Sequence, residues 1–158
     1  IPAMNFYTNG TRVYSNVPNA KLYSADLQIL YSPMKSLSVF MLSKFTYGEI
    51  NTAEPMPLIP PLKNIVAVQY EKNNLSLQAE CESAMAQNRV NTNYGELSTP
   101  AYSVFNLKSG YQFNVSKLLL NAGLGVTNLL NKAYYEHLDW GRIYRPGRSI
   151  ELYLKVSY

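Results

Sequence analysis

The chain has 158 residues, of which 47% are hydrophobic and only 15% are charged, and its net charge is +4. A typical soluble domain has about 25% charged residues. The basic residues are dispersed, which argues against a nucleic-acid-binding surface. The single cysteine, Cys81, excludes an intrachain disulfide, and with the lone His137 it cannot complete a usual zinc site, so we expect a structural, apolar thiol.

Most of the polarity comes from neutral side chains, including 14 Tyr residues against one Trp. This composition suits strands with one lipid-facing side and one uncharged, water-lined side, and it equally suits a Tyr-rich secreted sandwich. No run approaches the roughly 18 apolar residues that a transmembrane helix needs. Composition therefore favours an all-β protein and leaves membrane and soluble architectures open.

The chain opens as if within a strand and has no basic leader or cleavage site. We expect a processed product or a piece of a longer protein. The first predicted element is a hairpin over residues 4–14, since Asn9-Gly10 is a strong turn pair.

Period-2 alternation then predicts a series of long strands, each with one apolar and one polar face. The clearest internal one sets Leu75, Leu77 and Ala79 against Ser76 and Gln78. Each strand spans roughly ten residues, as tilted membrane strands do, against about five or six in globular proteins. The predicted strands after the hairpin are 21–31, 37–47, 64–71, 75–85, 101–113, 118–126 and 150–158.

The predicted connections alternate between tight turns and long loops. The turns lie at 32–35, 71–74 and 114–117, and the loops at 48–60, 87–100 and 128–148. Outer-membrane barrels have short periplasmic turns and longer extracellular loops, so we expect the turns and the C-terminus to be periplasmic. A sandwich can also have uneven loops, but the strand lengths favour a membrane barrel.

Three glycines, Gly110, Gly123 and Gly125, lie on the polar faces of the predicted strands. They leave room for a wide lumen or a plug beside the wall. They can equally mark a bulge or strong curvature.

Several motifs in order make the chain resemble the C-terminal part of a TonB-dependent outer-membrane receptor. Residues 14–27 resemble the family's stretch in which an Asn and an Ala precede a Tyr-Gly-x-Glu-Leu strand, with Ser24 in place of Gly and Asp26 in place of Glu. A loop ending in Ile-Pro-Pro at 59–61 is similar to the family's. The most specific series is Gly-Val-Thr-Asn-Leu at 125–129, Tyr-Tyr-Glu-His at 134–137 and Arg-Pro-Gly-Arg at 145–148. The residues that carry the resemblance, including the two prolines of the loop at 59–61, are Pro60, Pro61, Asn128, Leu129, Pro146, Gly147 and Arg148.

This resemblance implies a fold and a function. The fold is an antiparallel meander of about seven or eight long strands, the last third of a barrel of about 22 strands. The function is energised uptake of a ferric siderophore, haem or similar chelate, with TonB and its inner-membrane complex pulling on a plug. The plug and the TonB box belong to the N-terminal part of such receptors, so residues 1–158 are expected to form a single barrel segment that cannot transport alone, without a cofactor of its own.

Structural roles are favoured for the motif residues. Asn128 and Asn131 are expected to bond the local backbone, and Pro146-Gly147 to form a turn before the last strand, with Arg148 pairing with a carboxylate or loop carbonyls. His137 is more consistent with a loop hydrogen bond than with chelate binding, because one imidazole does not make a metal site. The loop aromatics are predicted to join an outer girdle, with a ligand entrance as the alternative; they are Tyr134, Tyr135, Trp140 and Tyr144.

The last predicted strand ends on an aromatic residue and carries an apolar stripe. It resembles the C-terminal signal that the barrel-assembly machinery recognises, and the same stripe suits a lipid-facing strand. We expect it to mark the true end of a much larger transporter. Its residues are Leu152, Leu154, Val156 and Tyr158.

Two other architectures stay open from the sequence. One is a self-contained eight-stranded outer-membrane barrel with a structural or adhesive role, and the other is a soluble β-sandwich that binds a partner. No Ser/His/Asp arrangement indicates catalysis, so we expect no enzyme.

Overall fold

The computed structural model describes residues 2–6, 12–16, 18–51 and 53–157. In this part of the chain the regular structure is almost entirely β. The helical segments described are two 3₁₀ turns, Thr92–Tyr94 and Trp140–Arg142, and neither could cross a membrane. The strands are β1 (Pro2–Phe6), β2 (Arg12–Asn16), β3 (Ala20–Met34), β4 (Leu37–Ile50), β5 (Glu54–Pro55), β6 (Lys63–Lys72), β7 (Leu75–Ala84), β8 (Tyr102–Val115), β9 (Leu118–Thr127) and β10 (Ser149–Ser157).

The main sheet is an antiparallel meander in the order β3-β4-β6-β7-β8-β9-β10. The two-residue β5 pairs with the end of β4, which places β6 next to β4. β1 and β2 form a separate antiparallel ribbon. The all-β fold class and the meander are therefore confirmed, and the turn of the predicted first hairpin falls on residues 7–11, outside the described part.

Strand positions agree with the alternation to within one or two residues, except that two predicted strand ends are wrong by three residues. Most of the predicted turn at 32–35 lies inside β3, which continues to Met34 through a register shift after Tyr31. The chain turns at residues 35–36. Pro33 has no N–H to give to β4, so a break in pairing follows. The loop predicted at 48–60 begins three residues later than predicted, because β4 continues to Ile50 beside β5.

The other two tight turns contain residues in the left-handed region. Asn73 has φ of 55° and Ser116 has φ of 57°. Asn and, less strongly, Ser stabilise tight turns through their short polar side chains. The local sequence thus fixes where β6 and β8 end.

The register separates the charged residues from the apolar ones. Between their ends, β3–β10 carry every charge on one face, here called the inner face, where Asp26 lies opposite Lys44 and Glu80 lies opposite Asn106. On the opposite, outer face, charges lie only at the ends: the Lys21–Glu49 ion pair of 3.2 Å at the loop end, and Lys72 at the turn end.

The outer face between those ends matches the apolar band of a membrane barrel. A ten-residue strand rising about 3.3 Å per residue and tilted by about 40° gains about 25 Å, which is the height of such a band. Its side chains are uncovered: Leu152 is 81% exposed and Leu27 53% exposed. A soluble sandwich would bury this face against a second sheet, so the sandwich alternative does not fit the structure.

The self-contained barrel does not fit either. Among the described residues, β3 pairs only with β4 and β10 pairs only with β9, so the sheet is open at both edges. A closed barrel has no edges. The sheet is therefore a section of a wall.

Two of the three polar-face glycines, Gly110 and Gly123, make room for an aromatic ring of the same sheet. A Cβ on Gly123 would overlap the ring of Tyr153, its partner on β10, and a Cβ on Gly110 would lie 2.9 Å from the Tyr153 hydroxyl. The aromatic ring therefore lies over the two glycines. Gly125 lacks this role, since its nearest neighbours would be 3.8 Å or more from a Cβ.

Candidate functional site

The three long loops meet in one layer at the loop end of the sheet, and the Glu96 carboxylate connects all three. Its Oε1 accepts a hydrogen bond from the Leu58 N–H (2.6 Å) in the first loop and lies 3.2 Å from His137 Nε2 in the third. Its Oε2 accepts from the Asn91 N–H (2.8 Å) within its own loop. The side chain is only 9% exposed, so a buried charge is held by donors from three segments that are far apart in sequence.

His137 is engaged at both ring nitrogens. Besides the Glu96 contact at Nε2, its Nδ1 lies 2.8 Å from the Thr99 hydroxyl, and its side chain is 3% exposed. Both partners belong to the second loop. This geometry places the His137 side chain between the loops, away from solvent.

Further contacts join the second loop to the first. The buried Gln87 donates from Nε2 to the Ile59 carbonyl (2.7 Å), and the buried Asn91 donates from Nδ2 to the Pro55 carbonyl (2.8 Å). Arg89 donates to the Gly48 carbonyl at the end of β4 and lies over the Tyr47 ring at 4.1 Å. Glu54 accepts amide hydrogen bonds, with Asn93 the largest cause, and these hold the pKa of its carboxyl below the usual range.

The third loop is held to the inner face of the sheet by charge. Lys63 on β6 lies 2.9 Å from Glu82 on β7 and 3.2 Å from Glu136 in the loop. The Tyr102 hydroxyl donates to Glu82 (3.1 Å), and the Tyr134 ring lies 4.5 Å from the Tyr102 ring. The loop thus folds over the end of the polar face.

The loop also has its own internal frame, centred on Asn128. This residue follows β9 with φ of 49°, is 3% exposed, and donates from Nδ2 to the carbonyls of Lys132 (2.9 Å) and Pro146 (3.2 Å). Its Oδ1 accepts from the Lys132 N–H (2.8 Å). Leu129 then bonds back to the sheet through its N–H and the Phe105 carbonyl (2.8 Å). Asn128 therefore ties the two ends of the loop together.

The end of the loop is fixed by Arg145 and Arg148. Arg145 binds Asp139 through two hydrogen bonds of 2.8 and 2.6 Å. The Arg145 hydrogen bond is the main reason that the pKa of the Asp139 carboxyl is lowered. The Arg148 N–H donates to Asn131 Oδ1 (2.9 Å), and Gly147 leaves room for that oxygen, which a Cβ would crowd.

The loop aromatics do not form the predicted girdle as a group. Tyr134 lies against Tyr102 on the inner face, so the girdle interpretation is wrong for Tyr134. Tyr135 and Tyr144 meet edge to face at 5.5 Å, with Arg142 over the Tyr135 ring at 5.8 Å. The Trp140 side chain lies outside the described part.

The space between loops and wall is small. A cavity of about 50 Å³ lies where His137 and Leu138 meet the inner end of the sheet, and its floor includes Pro60 and Pro61. Such a cavity holds a water or two but no chelate. In the described residues no group of three or more His, Cys, Asp or Glu side chains is placed to hold a metal ion.

Cys81 is half-buried on the outer face of β7, opposite Phe105 of β8. The apolar stripe of β10 is also on the outer face, where Leu152, Leu154 and Val156 are exposed. Tyr158 lies outside the described part.

Residues 2–129 match the family model described as TonB dependent receptor-like, beta-barrel. The chain belongs to this family. The match covers most of the chain and agrees with the open, two-faced sheet. Membership makes the sheet part of an outer-membrane β-barrel.

Solved structures match the fold as well. One, named "Copper transporter OprC", has a TM-score of 0.82 and 21% sequence identity over 99% of this chain. At that identity the likeness shows the fold alone. The chain spans 26% of the length of that structure. No curated protein matches the chain in sequence.

The main connectors of the loop layer were not predicted from the sequence. Glu96, Lys63 and Tyr102 have no distinctive motif, and their partners lie up to 73 residues away. A weak signal was present, since Glu96 is the only carboxylate of the loop at 87–100, and a carboxylate that becomes buried needs a partner.

Proposed function

We propose that this chain is the C-terminal part of the wall and of the outer loop layer of a receptor that takes up a scarce metal chelate across the outer membrane. TonB and its inner-membrane complex supply the energy through a part of the receptor outside these 158 residues. The family match over residues 2–129, on a sheet whose outer face carries no charge between its ends, supports this proposal most directly. Among the described residues, no cluster of His, Cys, Asp or Glu side chains indicates a metal site that would suggest a different function.

The proposed substrate class is a ferric siderophore, haem or a similar chelate. The name of the fold neighbour, a copper transporter, makes a copper complex a further member of the class. The exposed Tyr144 and its edge-to-face partner Tyr135 are proposed to line the entrance, because aromatic faces suit planar chelates. His137 is not proposed as a direct ligand, because both of its ring nitrogens are already occupied.

The proposed orientation has the tight turns and the C-terminus in the periplasm and the loop layer outside. It follows the rule that barrel loops are long on the outer side. The barrel-assembly machinery is proposed to recognise the apolar stripe of β10, which is uncovered along its length.

The test is uptake by cells that express the full-length receptor, with and without TonB. Labelled ferric siderophore, haem and copper complex are supplied separately, and accumulated label is measured. We expect one of them to accumulate only when both receptor and TonB are present. Accumulation that does not depend on TonB would indicate a passive channel and overturn the proposal.

A further inference from the structure

Three lysines lie at the turn end of the sheet, one at each tight turn, and are called here the lysine row: Lys35, Lys72 and Lys117. Lys35 follows β3 directly, Lys72 is the last residue of β6, and Lys117 directly precedes β9. All three are exposed. Successive turns are two strand spacings apart in the sheet, which makes about 10 Å at about 4.8 Å per strand.

The part of the chain that the structure describes supplies no counter-charge to the lysine row. None of its ion pairs involves these three lysines. The carboxylate next to Lys72 in sequence, Glu71, lies on the inner face, where Gln69 donates a hydrogen bond to it (2.7 Å). At the loop end, by contrast, Lys21 on the outer face is paired with Glu49 at 3.2 Å.

Aromatic residues of the outer face mark the depth of the lysine row. Tyr70 precedes Lys72 by two residues on the same face of β6, and Phe113 precedes Lys117 near the end of β8. The Phe113 ring stacks with that of Tyr111 at 6.3 Å between centroids. Aromatic girdles of membrane barrels lie where the hydrocarbon meets the headgroups. The lysines lie beyond these aromatics toward the turns, which is the depth of the headgroups.

Lysine is suited to this depth and to anionic lipid. Its hydrocarbon stem packs along apolar surface while its ammonium group reaches the polar layer. Basic side chains near a membrane surface are attracted to anionic lipids over about one Debye length, which is about 10 Å at 0.1 M salt. The spacing of the lysine row is similar to this length, so the potentials of neighbouring lysines overlap. A zwitterionic headgroup carries its own cation and is attracted less.

We propose that the lysine row is a docking surface for anionic phospholipids of the phosphatidylglycerol class, which it selects over zwitterionic ones in the leaflet that contacts the tight turns. Charge complementarity identifies the occupant, because unpaired cations border an apolar face that takes the acyl chains of the same lipid. The inference requires only that the sheet is barrel wall, which family membership supplies. It does not depend on the transported substrate or on TonB.

The test uses the full-length receptor in vesicles that contain equal amounts of phosphatidylglycerol and phosphatidylcholine with identical acyl chains. Photo-crosslinking benzoylphenylalanine replaces Phe113, and the lipid adducts on its peptide are counted by mass spectrometry after irradiation. We expect phosphatidylglycerol adducts to exceed phosphatidylcholine adducts at least about threefold at low salt, and the excess to shrink at high salt because salt screens the charges. Equal adducts at low salt would overturn the proposal.

Three sets of variants assign the preference to the lysine row. Lys35→Gln, Lys72→Gln and Lys117→Gln together should lower the adduct ratio to about one, whereas arginine at the same three positions keeps the charge and should preserve the excess. The matched control replaces two exposed inner-face lysines, Lys108→Gln and Lys155→Gln, and should leave the ratio unchanged. An excess that persists in the triple glutamine variant, or that falls as far in the control, would overturn the proposal. No readout requires uptake, so failure here is distinguishable from failure of the proposed function.

Discussion

At the scale of single residues, Glu96 is the side chain on which the loop layer depends most. Replacing it with alanine leaves the Leu58 and Asn91 N–H groups and His137 Nε2 without their acceptor, and of these residues Asn91 and the His137 side chain are buried. An unsatisfied buried donor costs about 1–3 kcal/mol. We expect Glu96→Ala in the full-length receptor to expose all three loops to protease together, as measured by cleavage in intact cells.

The matched control is Glu71→Ala, which removes an exposed carboxylate at the opposite end of the sheet that bonds only Gln69 among the contacts described. Its loops are expected to resist protease like the unmodified receptor. Cleavage confined to the second loop in Glu96→Ala would show that the loops are held independently.

The Asp139–Arg145 pair predicts a response of the third loop to acid. Arg145 lowers the pKa of Asp139 below its ordinary value of about 4, so the pair stabilises the loop above that value and its contribution is lost as pH falls through the lower, folded-state pKa. The contribution is at most about 1 kcal/mol, since Arg145 is 43% exposed. Hydrogen exchange of residues 134–145, corrected for intrinsic rates, should be unchanged from pH 7 to 5 and faster at pH 3.

Asp139→Asn provides the comparison for this pH effect. Because the amide carries no charge at any pH, its loop should exchange at pH 7 as fast as the unmodified loop does at pH 3. A variant that still shows the acid response would assign the response to a group other than Asp139.

At the scale of elements, the pairing of β9 with β10 depends on the fit of Tyr153 over Gly123. A methyl group on Gly123 would force the ring away, and such overpacking costs about 1–3 kcal/mol. We expect Gly123→Ala to lower the unfolding temperature of the full-length receptor in detergent, while Gly125→Ala, where a Cβ meets only ordinary contacts, leaves it nearly unchanged.

A double variant tests whether the cost comes from that contact. Combining Gly123→Ala with Tyr153→Ala removes the ring that the methyl group would meet, so the two effects should not add. If the decreases in unfolding temperature of the two single variants add fully in the double variant, the cost of Gly123→Ala comes from the backbone and not from contact with Tyr153.

Strands and loop contacts differ in how far the sequence predicts them. Alternation in residues 75–85 predicts β7 because, in a strand, side chains two residues apart point to the same face of the sheet. The bulge at the end of β3 was missed, since Pro33 reads locally as a turn residue. The Lys63–Glu136 pair joins residues 73 positions apart, and no local pattern records such a contact.

At the scale of the whole molecule, the isolated chain has two liabilities. In the described residues, β3 and β10 each have one edge that pairs with no other strand. The broad apolar outer face carries no charge between its ends. Open strand edges pair with other chains, and large apolar patches associate in water. We expect the isolated 158-residue chain to form aggregates or edge-paired oligomers in buffer without detergent, as measured by light scattering and sedimentation.

A variant of the isolated chain distinguishes association through the apolar face from association through the open strand edges. Leu152→Lys with Leu154→Lys places charge on the outer face of β10 and leaves its backbone edge intact, so association through the face should weaken while pairing of edges persists as small oligomers. The full-length receptor in detergent has a lipid-like cover for that face and neighbouring strands for both edges, and it should be monodisperse. A monodisperse monomer of the unmodified short chain in plain buffer would contradict both the lipid-facing assignment and the open-wall architecture, because each leaves a surface that water alone does not satisfy.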